Sequence, residues 1–153
     1  MDLLITFLIS MVPVIELRGA IPIGMAAGVE PWVACVLSVL GNLLPVPFIL
    51  LFIRKIFAWM RRFDRLRPIV EALERKADGK SDKVKKYELL GLFLFVAVPL
   101  PGTGAWTGSL IAALMEIRLK RAIPAIALGV ITAGIAVTLV AVLGVEALSF
   151  FLG

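Results

Sequence analysis

The sequence predicts an all-α integral membrane protein built as two inverted repeats, each a re-entrant helical hairpin plus a transmembrane helix, joined by a basic cytoplasmic amphipathic helix. Three observations lead there. Hydrophobic residues make up 61% of the 153, and mean hydropathy is +1.04, more apolar than the roughly half-apolar composition of soluble domains. Four apolar stretches, 3–28, 32–53, 89–115 and 122–152, alternate between interrupted and continuous. Basic residues are confined, twelve of the sixteen Lys and Arg falling within 54–86. The whole chain, 1–153, reads as a single membrane domain, with a first repeat at 1–53, a linker at 54–87 and a second repeat at 88–153.

The first stretch is cut by Pro13 and by Glu16-Leu17-Arg18-Gly19. About ten residues on either side give about 15 Å of helix, half a bilayer core, so a hairpin that enters and leaves on one face is expected. A signal peptide is rejected: no basic residue precedes the apolar run, and Glu16 and Arg18 interrupt it. The second stretch has the length of a spanning helix, opened by Pro31 beside an interfacial Trp32, with Pro45 and Pro47 expected to kink it and free carbonyls near Gly41 and Asn42.

Beyond it, Phe52, Ile56, Trp59, Phe63 and their apolar neighbours recur at helical spacing opposite Arg54, Lys55, Arg61, Arg62 and Arg65. This predicts an amphipathic helix lying in the cytoplasmic interface as far as Pro68, followed by a short charged helix at 69–77 and a turn at 78–81. The third stretch is cut by Pro99-Leu100-Pro101-Gly102-Thr103-Gly104 and reads as a second hairpin. Pro124 opens the fourth, a spanning helix whose Ala125, Gly129 and Ala133 form a small-residue packing stripe.

Charge placement agrees with this topology. Four ordinary spans would put 54–86 and 116–121 on opposite sides, against the tendency of Lys and Arg to stay cytoplasmic; a re-entrant third stretch puts both inside. A faint repeat points the same way, since Val12-Pro13 precedes Gly41 much as Val98-Pro99 precedes Gly129, the pattern of inverted repeats.

One cysteine, Cys35, and no histidine exclude internal disulfides and zinc-finger spacing. No nucleophile, base and metal set converges, so no enzyme activity, catalytic residue, metal or cofactor is expected. The basic stretch suits anionic lipid head groups rather than nucleic acid.

Glu16 and Arg18 are the sharpest candidates for function, because ionisable groups at membrane depth cost several kcal/mol unless paired or hydrated. The alternative is that they only hold the turn. Pro99, Pro101, Gly102, Thr103 and Gly104, followed by Trp106 and Thr107, offer amides and hydroxyls at the start of a half-helix, where anions bind; the glycines could instead serve close packing. Asn42, at the kink of the second stretch, joins this polar set. Glu116, Arg118 and Arg121, at the cytoplasmic edge, are candidates for a gate or ordinary snorkelling residues. Expected partners are membrane lipids, a small amphipathic substrate and protons. With two full spans per chain, a homodimer in the plasma membrane is expected, with 54–87 cytoplasmic.

Glu16-Leu17-Arg18-Gly19-Ala20-Ile21-Pro22, together with Pro99-Leu100-Pro101-Gly102-Thr103-Gly104-Ala105-Trp106-Thr107-Gly108, resembles the small multidrug export family, and more remotely the DedA and VTT-domain superfamily. The resemblance covers nearly the whole chain. It implies two inverted hairpin-plus-helix units and proton-coupled transport, of polyprenyl-phosphate carriers or phospholipids in DedA-like relatives and of drugs by the family's name. It implies functional roles for Glu16 and, loosely, for Arg118 and Arg121, which lie past the second hairpin instead of within it. Lipid head-group translocation, export of cationic amphipathic drugs with Glu16 as the shared carboxylate, and a non-transporting scaffold all stay open at this point.

Overall fold

The computed structural model describes residues 1–78 and 82–152, and these form eight helices and no strand. They are α1 (Asp2–Ser10), α2 (Glu16–Ala26), α3 (Pro31–Leu43), α4 (Pro45–Met60), α5 (Arg67–Asp78), α6 (Asp82–Ala97), α7 (Ala105–Leu114) and α8 (Leu119–Leu152). α3 and α4 follow one another through the single residue Leu44, whose φ of −56° and ψ of −46° remain helical. Together they give a 30-residue apolar rod, Pro31–Met60, matched by a second of 32 residues, Leu119–Phe150. At 1.5 Å per residue each is about 45 Å long, enough to cross a bilayer. By contrast α1, α2 and α7 have 9, 11 and 10 residues, about 13–17 Å each.

Both interruptions expected from the sequence are present, at 11–15 and 98–104. Several boundaries differ from expectation. Glu16 and Arg18 are not in the first turn but in the opening turn of α2. No separate amphipathic helix runs to Pro68: α4 carries Arg54 to Trp59 onward without a break, the chain turns over 61–66, and Pro68 is the second residue of α5. A proline lacks the N–H that a helix's first turn leaves unused, so it starts a helix as readily as it ends one. The 54–87 boundaries therefore fall inside α4 and α6. Pro124 does not open α8, which begins at Leu119; it lies within the helix and withholds an N–H from the Lys120 carbonyl. α6 begins at Asp82, before the apolar stretch. Most of the turn expected at 78–81 lies outside the described residues.

α1, α2 and α3 pack on one another, α6 packs along α8, α3 and α2 also meet α8, and α4 meets α7. Two glycines permit crossings at which a Cβ would meet a neighbouring helix's backbone. A Cβ at Gly41 would collide with Ser10 Oγ and the Phe7 carbonyl of α1, and one at Gly129 would stand 2.8 Å from Val96 Cβ and 3.0 Å from the Phe93 carbonyl of α6. Leu17, Ile21, Val46, Leu50, Val96 and Ile126 fill the core, all nearly inaccessible. On the outside, Phe48, Leu51 and Phe52 of α4 and Leu128, Ile131, Ile135 and Leu139 of α8 are exposed. Contiguous apolar surface of this kind is intolerable in water and ordinary in lipid.

The two halves end their short helices alike. After α2, the amides of Gly28 and Val29 bond the carbonyls of Met25 and Gly24; after α7, those of Glu116 and Ile117 bond Ala113 and Ala112. Both are Schellman caps, with the C′ residue at positive φ, +90° for Gly28 and +55° for Glu116, and a buried apolar residue next, Val29 or Ile117. Gly28 and Glu116, and Gly41 and Gly129, are the same number of residues apart. Outside the bundle, α5 is held by the buried Val70 and by the Arg61–Glu74 ion pair, while the Arg67–Glu71 pair lies within α5 itself.

Candidate functional site

The two interruptions meet. Glu16 is the first residue of α2 and has φ of +49°, a left-handed conformation costing about 1–2 kcal/mol for a residue with a Cβ. That backbone twist solves a geometric difficulty, because residues two apart on a regular helix do not face one another. Here Arg18 Nη1 donates to Glu16 Oε2 at 2.7 Å.

The Glu16 carboxylate also crosses to the second half. Its Oε1 accepts the Trp106 amide at 3.3 Å, and the neighbouring Ala105 amide adds a favourable electrostatic interaction with the same carboxylate. These are the first two N–H groups of α7, whose own N-cap residue, Gly104, has no side chain to offer. A carboxylate from elsewhere in the chain thus caps α7, where exposed amides and the helix dipole attract negative charge. Gly104 is required for this, since a Cβ there would coincide with the carboxylate.

Arg18 completes the lock. Its Nη2 donates to the Val98 carbonyl at 3.1 Å, to the Thr103 carbonyl at 3.0 Å and to Thr103 Oγ1 at 3.0 Å. The Thr103 hydroxyl lies 2.7 Å from the Val98 carbonyl and 2.8 Å from that of Leu100, so the turn closes on itself around the guanidinium. Trp106 Nε1 reaches back to the Met11 carbonyl at 3.1 Å, tying α7 to the first turn. Glu16 is 4% exposed, while Arg18 remains partly accessible, its side chain 17% exposed. The Arg18 Nε is buried with no partner.

Of the residues singled out from the sequence, Glu16, Arg18, Thr103, Gly104 and Trp106 come together. Pro99, Pro101 and Gly102 shape the turn but are exposed, with Gly102 supplying its positive φ of +82°. Thr107 makes no hydrogen bond to this cluster. Asn42 is buried in α3 and makes no hydrogen bond to this cluster. Glu116, Arg118 and Arg121 lie beyond the far end of α7, about 15 Å along it. Sequence reasoning missed Arg54, whose Nη2 holds the Ile117 carbonyl at 3.1 Å; among so many basic neighbours nothing marked it. It also missed Ser38, for which the signal existed: a small polar residue one helical turn before Asn42.

Beside the Arg18 turn, a groove of about 770 Å³ runs between α2, α3 and α8, lined by Pro22, Met25, Val29, Pro99, Val137 and Val140 among others. Its wall is apolar apart from Glu30, whose carboxylate caps α3 by accepting the Val33 amide at 2.9 Å. Pro99 joins this groove to the turn that Arg18 holds. The cluster of charge is therefore next to an apolar channel, an arrangement suited to a molecule with one polar and one apolar end.

No curated protein and no solved structure matches the chain. The family described as "Putative small multi-drug export protein" matches residues 16–136, a span that begins at Glu16 and takes in the whole of the Glu16–Arg18–Gly104 cluster. The chain, with its two membrane-length helices and its locked polar turn, belongs to that small multi-drug export family.

Proposed function

We propose that this protein transports an amphipathic compound across the bilayer, its anionic head group taken by Arg18 and the N-terminus of α7 and its apolar part by the adjoining groove. One observation carries the reading: the Glu16 carboxylate already occupies that site as an internal anion, bonded to Arg18 and to the Trp106 amide in the first turn of α7. Anything that displaces Glu16, or protonates it, leaves a guanidinium and two amide donors available to an incoming anion. Proton and substrate binding are then linked at one site, and neither the charged residue nor the substrate is left unpaired in a low-dielectric interior. A lipid-phosphate head group, with several acceptor oxygens, fits those donors best.

The topology that accompanies this reading has two re-entrant hairpins, α1–α2 and α6–α7, and two spans, with 54–87 and 116–121 both cytoplasmic. The short arms of α1, α2 and α7, the paired Schellman caps and the equal spacing of Gly41 and Gly129 support it. Non-helical backbone at membrane depth must have its polar groups satisfied from within the protein, and Arg18 and the Thr103 hydroxyl do this for the carbonyls of Val98, Leu100 and Thr103. A homodimer in the plasma membrane completes the proposal, acting by transport and not by catalysis.

Reconstituted into liposomes, the protein should move a short-chain lipid phosphate between leaflets, and both Glu16→Gln and Arg18→Ala should abolish the movement. Full activity in both variants would remove these residues from the mechanism. Export of cationic amphipathic drugs is a second reading, favoured by the family's description and by Glu30 in the groove. It requires the drug's charge to displace Arg18 from Glu16, so drug binding would survive or tighten in Arg18→Ala, where anion transport would be lost.

A further inference from the structure

We infer that the end of α3 holds a monovalent cation, bound by Ser38, Asn42 and the carbonyl that Pro45 leaves open. Asn42 is 1% exposed, and neither its Oδ1 nor its Nδ2 has a partner; Ser38 is 0% exposed, and its Oγ has none either. Leaving such groups unpaired costs about 1–3 kcal/mol each. The state of Ser38 is not the rule in this molecule. The other buried hydroxyls, on Thr6, Ser10, Ser109 and Thr138, all bond a carbonyl of their own helix at 2.6–2.8 Å. Among the described residues, Ser38 is the one buried hydroxyl that does not.

Ser38 and Asn42 are one turn apart, on the same face of α3. The residues on either side of Asn42 supply more acceptors. Pro45 has no N–H for the Gly41 carbonyl, and Pro47 none for that of Leu43, the last residue of α3. α3 runs on into α4 through the helical Leu44, so the prolines leave these carbonyls unpaired in mid-helix, beside the face that Ser38 and Asn42 share. Amide oxygen, hydroxyl oxygen and peptide carbonyl are hard, neutral donors. Among the described residues no group of three or more His, Cys, Asp or Glu could hold a metal ion, so a divalent ion would bring more charge than this donor set offsets. A singly charged hard ion fits it, with Na⁺ as the probe. The site does not depend on which compound Arg18 and Glu16 handle.

Thermal unfolding of the full chain in detergent, at constant ionic strength with Na⁺ exchanged for choline, reads the site directly without any transport assay. Wild type should unfold at a midpoint that rises with Na⁺ and saturates, as mass action requires. In Ser38→Ala the half-saturating Na⁺ concentration should rise at least tenfold. Asn42→Leu should lose the Na⁺ response altogether while unfolding no earlier than wild type in choline, because replacing an unpaired buried amide by an apolar group of similar size is neutral or stabilising. That second readout separates a lost site from a lost fold. Identical midpoints for wild type in Na⁺ and choline would overturn the inference and assign water to these groups. An Na⁺ response that persists unchanged in Asn42→Leu would place the ion elsewhere. Loss of lipid-phosphate movement with an intact Na⁺ response would refute the proposed transport reading alone.

Discussion

Replacing Gly104 by alanine tests whether the two halves are joined through Glu16. The added Cβ falls on the Glu16 carboxylate, and neither side can yield cheaply. Glu16 is bound at once to Arg18 at 2.7 Å and to the Trp106 amide at 3.3 Å, and Gly104 is the N-cap whose position sets the first turn of α7. Expelling the carboxylate gives up its hydrogen bonds to α7, at about 1.5–3 kcal/mol for a bond to a charged group, and loosens a buried ion pair whose disruption costs about 3–5 kcal/mol. A net loss of about 3 kcal/mol is expected. The assay is a double-mutant cycle on thermal stability in detergent, comparing Gly104→Ala in the wild type and in Glu16→Ala. With the carboxylate already gone that collision is removed, so the coupling energy should approach the whole 3 kcal/mol. If Gly104→Ala costs the same in both backgrounds, the carboxylate is not what fills that space and the site as described is wrong.

Other expectations follow from the same contacts. Glu116 holds a left-handed C′ position that glycine fills at the equivalent place after α2, so Glu116→Gly should raise stability by about 1 kcal/mol; a lower unfolding midpoint would show that its carboxylate makes a contact of greater worth. Gly129→Leu should separate α6 from α8 and prevent recovery of folded protein, whereas Gly144→Leu, with open space around it, should be harmless, as size-exclusion profiles would reveal. Trp106→Phe removes the bond to the Met11 carbonyl at 3.1 Å and should cost about 1 kcal/mol in thermal unfolding. In a Cys35→Ala background, cysteines at Arg61 and Arg118 should react with an impermeant thiol reagent from the same, cytoplasmic side; reaction from opposite sides would refute the re-entrant second hairpin.

Much of this molecule is determined locally, and so was legible in its residues. Apolar content set the solvent, and the prolines and glycines of 99–104 set an interruption whatever surrounded them, because a missing N–H and a free φ act within a few residues. Pro68 and Pro124 show the limit of the same logic. A proline marks a break in hydrogen bonding, but which side of it is helical depends on what the flanking turns pack against, and α8 runs through Pro124 because its apolar face is buried along α6. Glu16 and Arg18 were recognisable as costly groups at membrane depth; their partners were not. The Trp106 amide is 90 residues from Glu16 and the Thr103 oxygens 85 from Arg18, and no periodicity encodes a meeting over such separations. That meeting, the need for Gly104 and the stranded polarity of Ser38 and Asn42 were decided only when the helices packed, since capping a helix and orphaning a side chain are both consequences of which surfaces exclude solvent together.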